Sequence, residues 1–262
     1  MDQGVMARIG IDGLQFHYLD TGNGAAVLFV HGNIASSRWW LPTIERLPTG
    51  FRAVALDMRG YGLSDKPGTG YTITQRSLDL HDFITQLNLG RVHLVGHSLG
   101  GAVALQFTID YPTLVRSLTL LASAPIDGMV APRSLEAAIP TLLGNRAMFI
   151  QALRRSSPTG PFGEAWERLV DDGLLTDQQA WIDAGRTLGT WNVERQVMTF
   201  NVPTQIVHGA ADAVALPSTA EYAAHTIKGA QLNILEGIGH SPHVERPEEW
   251  TQQLVAFLNA HP

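Results

Sequence analysis

Cysteine is absent from the 262 residues. Its absence excludes disulfide bonds, thiol nucleophiles, iron–sulfur clusters and zinc sites built on thiolates. The HExxH pattern of helical zinc sites is also missing, so we expect no metal even though His240 and His243 lie close together in the sequence. The segments 22–24 and 60–62 lack the third glycine and the acidic partner of the dinucleotide fingerprint. We therefore expect no cofactor.

Positive charge is scarce as well. Lys and Arg total 18 against 24 acidic residues, the formal charge is −6, and no run of five like charges occurs. We expect neither nucleic acid nor a membrane as a main partner, since both attract basic patches. Residues 1–13 carry Asp2, Arg8 and Asp12 and no apolar run. They predict neither a signal peptide nor an anchor, and thus a cytoplasmic protein.

Short apolar runs rich in Val, Leu and Ile recur along the chain, which is 45% hydrophobic. Two early runs, 8–11 and 14–20, are separated by Asp12-Gly13, a strong signal for a two-residue hairpin. The later runs predict parallel strands buried on both faces. They occupy residues 27–30, 53–56, 92–95, 118–121, 205–207 and 232–235.

Amphipathic stretches between these runs predict helices, the pattern of a sheet covered on both faces. The helices are predicted at residues 37–47, 74–89, 99–111, 217–228 and 247–258. Residues 126–199 contain no good strand candidate, but helix-compatible stretches with aromatic residues that we expect mainly in their own core. We predict an α/β core formed by residues 1–125 and 200–262, with 126–199 inserted as a helical lid. The aromatic residues are Phe149, Phe162, Trp166, Trp181 and Trp191.

A strong chemical signal is the sequence Gly96-His97-Ser98-Leu99-Gly100-Gly101, between a predicted strand and a predicted helix. A tight strand-to-helix turn needs small residues on both sides of its central serine, and it exposes the serine hydroxyl. We expect Ser98 to be a nucleophile. The Leu99 amide would lie at the start of the helix, where unpaired donors favour a developing negative charge.

A serine nucleophile needs a base, and the base needs an orienting carboxylate. Asp212 and His240 each follow the carboxyl end of a predicted strand, giving the chain order Ser98, Asp212, His240. Asp127, just beyond another strand, is a second candidate for the acid, and the sequence leaves this alternative open. His97 sits beside the nucleophile, but adjacent side chains diverge at a sharp turn, so we expect it to pack elsewhere.

A second donor for the oxyanion should come from the loop after the strand at 27–30, which reads His31-Gly32-Asn33. The Asn33 amide is our candidate, because Gly32 allows the backbone to approach closely. We expect His31 to brace this loop and Glu245 to brace the loop of His240. Asp57 and Arg59, at another strand end, are predicted to form a structural ion pair.

With these motifs the sequence resembles the α/β-hydrolase superfamily almost end to end outside residues 126–199. The resemblance is carried by five stretches, at residues 31–33, 57–64, 96–101, 208–212 and 239–247. It implies an eight-stranded, mostly parallel sheet with the lid after the sixth strand. It also implies Ser98 as nucleophile, His240 as base and then acid, Asp212 as orienting acid, and the Asn33 and Leu99 amides as oxyanion hole. Ile34 stands where perhydrolases often have proline, which disfavours that branch.

These features predict a serine hydrolase that cleaves a carboxylic ester or lactone through an acyl-enzyme. One alternative is a carbon–carbon bond hydrolase of a vinylogous keto acid, with Arg133, Arg154 and Arg155 available for the acid group. Another is a small-molecule receptor that keeps the triad without turnover. The expected partner is the small molecule itself, and the chain is compatible with a monomer or a homodimer.

Overall fold

The computed structural model describes residues 5–262, the first of them by its backbone alone. Eight strands in this range form one sheet in the order β1-β2-β4-β3-β5-β6-β7-β8. β1 and β2 pair antiparallel, β2 runs antiparallel to β4, and the other neighbours are parallel. The strands are β1 (Val5–Ile11), β2 (Leu14–Gly22), β3 (Gly24–Val30), β4 (Gly50–Leu56), β5 (Val92–His97), β6 (Val115–Leu121), β7 (Thr204–Gly209) and β8 (Gln231–Leu235).

All eight predicted strands are confirmed in position, as is the hairpin at Asp12-Gly13. Ile11 pairs with Leu14, and both turn residues have positive φ, as a tight hairpin turn requires. The expectation that all six later strands are buried on both faces is wrong for β8. Among the strands of residues 5–262 it lies at the edge of the sheet and pairs with β7 alone, and it is only partly buried.

The helices flank the sheet in the predicted places, with one exception. The segment predicted as a helix at 37–47 forms a 3-10 turn, Ser37–Trp40, followed by a single short α-helix. The helices of the core are α1 (Leu41–Ile44), α2 (Ile73–Gln86), α3 (Leu99–Asp110), α9 (Pro217–Thr226), α10 (Pro242–Glu245) and α11 (Pro247–Asn259). Within residues 5–262, none of the helices has the length and apolar character needed to cross a membrane.

Between β6 and β7 the chain forms five helices, which we call the helical insertion. They are α4 (Arg133–Gly144), α5 (Arg146–Ser156), α6 (Glu164–Leu174), α7 (Gln178–Leu188) and α8 (Glu194–Val197). Phe149, Trp166 and Trp181 share one apolar cluster, whereas Trp191 packs against the main core and Phe162 is 78% exposed. The exact limits of the lid, residues 126 and 199, stay a prediction. The prediction that residues 1–13 form neither a signal peptide nor an anchor includes residues 1–4, which lie outside the described residues.

The apolar core is divided between the two faces of the sheet. Alternate residues of a strand point to opposite faces, so Leu28 and Val30 join the cluster under α2 and α3, while Val27 and Phe29 join the cluster under α11. Burying both faces fixes the register of the parallel strands. Their carboxyl ends therefore meet along one edge of the sheet, where the candidate site lies.

Candidate active site

Ser98 lies at the turn between β5 and α3, with φ 53° and ψ −118°. A non-glycine residue in this region costs roughly 1–3 kcal/mol, which the surrounding structure must supply. The backbone on both sides is held: the Ser98 amide donates to the Leu121 carbonyl, and the Ser98 carbonyl accepts from Gly101 and Ala124. These bonds hold Ser98 in its strained conformation.

The glycines around this turn are required by space. A Cβ atom on Gly96 would overlap the carbonyl of Gly100, and one on Gly100 would overlap the carbonyl oxygens of Val30 and His31. These neighbours are backbone atoms of α3, of β3 and of the residue that follows β3, and unlike the end of a flexible side chain they cannot move aside. The predicted need for small residues on both sides of Ser98 is confirmed.

The structure brings the three predicted side chains into one hydrogen-bonded chain. His240 Nε2 lies 2.9 Å from Ser98 Oγ, and His240 Nδ1 lies 2.7 Å from Asp212 Oδ2. Asp127, the alternative acid, is exposed to solvent. Asp212 is therefore the carboxylate that contacts the imidazole.

Asp212 is fixed in place by more than the imidazole. Its Oδ1 accepts from the amides of Val214 (2.7 Å) and Ala215 (3.1 Å), and its Oδ2 also lies 3.1 Å from His208 Nε2. Burial raises the pKa of Asp212, but the hydrogen bonds from His208 and His240 outweigh it, so the pKa ends well below its usual range. Asp212 is an ionised, oriented acceptor at neutral pH.

The loop after β3 lies directly against the serine. A Cβ atom on Gly32 would come within 2.6 Å of His97 Nδ1 and 3.1 Å of Ser98 Cβ, so only a glycine backbone approaches this closely. Among the hydrogen bonds of residues 5–262, none uses the amide of Asn33 or that of Leu99 as donor. Two free N–H groups thus flank the serine turn.

His31 braces this loop, as predicted. Its Nδ1 donates to the Gly32 carbonyl (2.7 Å), and its Nε2 accepts from the Met58 amide (3.0 Å). Burial lowers the pKa of His31 to about 4. The neutral ring has one donor and one acceptor, which match these two partners.

A second imidazole supports the backbone of His240. His97 points away from Ser98, as expected, and its Nε2 lies 2.8 Å from the His240 carbonyl. The His97 ring packs between the rings of His240 (5.0 Å between centroids) and His243 (4.5 Å), and His243 lies 4.5 Å from Trp40. This role of His243 was not predicted, because nothing in the sequence near residue 243 reports a contact with His97 or Trp40.

Glu245 holds the loop of His240 from both sides, as predicted. Its carboxylate accepts from the amides of Gly239 (3.2 Å) and Ser241 (3.0 Å), the residues that flank the imidazole. The same carboxylate accepts from the amide of Thr159 (3.1 Å) in the helical insertion. The imidazole and the insertion are therefore held by one buried side chain.

The predicted ion pair between Asp57 and Arg59 is wrong. Asp57 pairs instead with His17 (2.9 Å) and accepts from the amide of Ser37 (2.6 Å), while Arg59 pairs with Asp79 on α2. The tight loop turns the two side chains toward different elements. Both residues are structural, but through partners distant in sequence.

Within the part of the chain that the structure describes, no three His, Cys, Asp or Glu side chains are grouped to hold a metal ion.

An alpha/beta hydrolase family model matches residues 27–253. The chain belongs to the alpha/beta hydrolase family.

Three similar proteins illustrate the range of this family. The chain is 30% identical over 268 residues to a 2-hydroxy-6-oxo-6-(2'-aminophenyl)hexa-2,4-dienoic acid hydrolase of Metapseudomonas resinovorans, covering 96% of this chain and 90% of that one. It is 29% identical over 265 residues to a monoacylglycerol lipase of Xenopus laevis, and the match covers 91% of this chain and 77% of the lipase. An esterase structure from Exiguobacterium antarcticum superposes with a TM-score of 0.86 at 24% identity, covering 97% and 100%, and shows the fold.

The buried imidazoles of this hydrolase predict a loss of stability in mild acid. Burial is the main reason why the pKa of His31 and that of His93 fall to about 4, and that of His97 to about 3. In the unfolded chain a histidine has a pKa of about 6.5. Below that pH the unfolded chain binds protons that the folded protein does not, so stability falls from pH 6.5 toward about pH 4, by roughly 2 kcal/mol per buried imidazole at pH 5.

Urea unfolding at pH 7 and pH 5 measures this effect. His93 packs against Ser117 and not against Ser98, so His93→Gln tests one imidazole without altering the site. Between pH 7 and pH 5 we expect the free energy of unfolding to fall less in His93→Gln than in wild type. His225→Gln, at an exposed position, should show the same fall as wild type. A wild-type stability that is the same at both pH values would contradict the prediction.

Proposed function

We propose that this protein is a serine hydrolase that cleaves a carboxylic ester or lactone. The proposal rests on one observation above all: a strained serine hydrogen-bonded to a histidine that is itself hydrogen-bonded to a buried aspartate, beside two free backbone amides. A carbonyl group is the substrate that such a set of groups can attack and polarise at once.

In this mechanism His240 Nε2 removes the proton from Ser98 Oγ as the oxygen attacks the carbonyl carbon. The carbonyl oxygen becomes an oxyanion and accepts hydrogen bonds from the Asn33 and Leu99 amides. His240 then gives its proton to the departing alcohol oxygen, which leaves the acyl group on Ser98. Water, deprotonated by His240, then attacks the acyl carbon. The bond from this carbon to Ser98 Oγ breaks, His240 returns the proton to Oγ, and the acid is released. Asp212 keeps the proton on Nδ1 of His240 and stabilises the imidazolium.

The arginines of the helical insertion favour an ester or lactone over an acid-bearing substrate. Arg154 donates to the carbonyls of Gly160 (3.1 Å) and Pro161 (2.7 Å), and its guanidinium lies 3.7 Å from the centre of the Trp166 ring. Arg133 and Arg155 are exposed. Arg154 is thus committed to packing inside the insertion, which weakens the hypothesis that these three cations receive a substrate carboxylate.

The carbon–carbon bond hydrolase remains the second candidate, because a relative of 30% identity is named for hydrolysis of a dienoic acid. Both reactions would use the same triad, and only the substrate separates them. A relative of 29% identity is named as a lipase, which supports the ester.

A substrate panel tests the proposal. We expect sustained turnover of short nitrophenyl esters or of lactones, many turnovers per protein, and little activity on a ring-cleavage dienoate. Activity confined to the dienoate would favour the second candidate. A single turnover followed by arrest would instead indicate a receptor that retains the triad.

A further inference from the structure

Arg76 on α2 is a buried cation without a carboxylate partner among the described residues. It is 1% exposed, and no Asp or Glu within residues 5–262 lies within ion-pair distance of its guanidinium. The acid one turn further along α2, Asp79, pairs with Arg59 instead. Burial lowers the pKa of Arg76, which reflects the desolvation of its charge. An unpaired ion costs several kcal/mol to bury, so its place needs a reason.

The guanidinium is directed toward two tyrosines. Its Nη1 donates to the backbone carbonyl of Tyr71, its Nη2 donates to the Tyr61 hydroxyl at 3.4 Å, and its Nε has no partner among the described residues. The guanidinium carbon, Cζ, lies 5.4 Å from the centre of the Tyr61 ring and 5.6 Å from the centre of the Tyr71 ring. The faces and one hydroxyl of these rings replace the missing carboxylate.

Tyr61 connects this cation to the loop beside the serine. Its hydroxyl donates to Asn33 Oδ1 at 2.9 Å, and the same oxygen of Asn33 accepts from the Ile34 amide at 3.0 Å. Ile34 has a φ of 50°, a conformation that a branched side chain disfavours. The chain of bonds from Arg76 through Tyr61 thus ends on the side chain that holds this strained turn.

We propose that Arg76 and Tyr61 are positioning residues. Through the side chain of Asn33 they hold its backbone N–H toward the reacting carbonyl, and they favour negative charge on the carbonyl oxygen. The inference rests on the proposed function, because it takes the Asn33 amide as an oxyanion donor. A donor hydrogen-bonded to a cation is a stronger donor, so Arg76 strengthens the bond from Tyr61 to Asn33. A positive charge without a contacting carboxylate, in a low-dielectric interior, also favours the oxyanion over the neutral substrate.

A purely structural role would not need an unpaired charge. Arg59, buried nearby, is neutralised by Asp79, which shows that this region accommodates a complete ion pair. Among the described residues, Arg76 has no carboxylate within ion-pair distance, and Asp79 acts on it only from further away. The effect of Arg76 should therefore appear in kcat, which reports stabilisation of the transition state, and only weakly in KM.

Two matched tyrosine variants test the hydrogen-bonded chain. Tyr61→Phe and Tyr71→Phe each remove a hydroxyl from a buried ring beside Arg76, but the Tyr71 hydroxyl accepts from the Gly68 amide and does not reach Asn33. On a nitrophenyl ester we expect Tyr61→Phe to lower kcat about 10-fold with KM almost unchanged, less than the 10²- to 10³-fold cost of a deleted oxyanion donor. Tyr71→Phe should leave kcat within twofold of wild type. Equal effects of the two variants, or none, would overturn the inference.

Charge is tested at Arg76 itself. We expect Arg76→Lys to retain more kcat than Arg76→Met by about 10-fold, because lysine keeps the positive charge. A trifluoromethyl ketone, whose adduct with the serine carries an oxyanion, should bind Arg76→Met more weakly in the same proportion, whereas the uncharged alcohol product should bind both proteins equally. Undiminished inhibition of a folded Arg76→Met would contradict the role of the charge. If Arg76→Met does not fold, the tyrosine pair and Arg76→Lys decide the question.

Ser98→Ala, measured in the same series, distinguishes a failure of the proposed function from a failure of the inference about Arg76 and Tyr61. If this variant keeps its turnover, the proposed function and the inference fall together. If it loses turnover while Tyr61→Phe behaves like Tyr71→Phe, the proposed function stands and the inference alone is wrong.

Discussion

Asp212→Asn is expected to lower kcat on an ester about 10⁴-fold while the protein stays folded. The two backbone amides of Val214 and Ala215 both donate to Oδ1, so the amide oxygen of an asparagine should occupy that place. Its NH₂ group would then face Nδ1 of His240 and require this nitrogen to accept. The proton of the neutral ring would move to Nε2, which could no longer take the proton of Ser98.

Asp127→Asn is the matched control, since it makes the same change in the exposed carboxylate that the sequence left as an alternative. It should leave kcat within twofold of wild type. Circular dichroism and thermal unfolding of both variants separate a catalytic effect from a loss of fold. A large loss of kcat in Asp127→Asn, with Asp212→Asn unimpaired, would overturn the assignment of the acid.

Ser98→Ala, His240→Ala and the double variant are expected to lose nearly the same kcat, roughly 10⁶-fold each. The serine and the imidazole act as one unit, because the hydroxyl is a poor nucleophile without the base and the base has no proton to remove without the hydroxyl. Once one of them is gone, removal of the other should cost little. Initial rates on one ester, with the three variants and wild type, measure this lack of additivity.

Exposed residues of the same types provide controls for this series. Ser218→Ala and His225→Ala, both on the surface of α9, should retain the wild-type rate. Losses that multiply in the double variant would mean that Ser98 and His240 contribute independently, and the proposed division of roles would be wrong.

The serine turn was predictable because its causes are local. Gly96 and Gly100 are needed wherever a strand enters a helix through one strained residue, and the sequence around Ser98 contains the strand, the turn and the helix together. The places of Asp212 and His240 followed from the parallel sheet, since loops at the carboxyl ends of its strands share one edge. The choice between Asp127 and Asp212 needed coordinates, because both satisfy that rule.

Other features could not be predicted, because their partners are distant in the chain. Asp57 pairs with His17 on the neighbouring strand β2 and not with Arg59, two residues away. The bond between Tyr61 and Asn33 depends on how two loops meet, and no spacing in the sequence reports it. The edge position of β8 likewise depends on strand order, which the apolar pattern of a single strand does not contain.

The most direct measurement is the mass of the protein after reaction with a fluorophosphonate, followed by peptide mapping of the adduct. We expect one adduct per chain, located on Ser98, absent from Ser98→Ala and formed much more slowly by Asp212→Asn. A wild-type protein that stays unmodified, or an adduct located on another residue, would contradict the account.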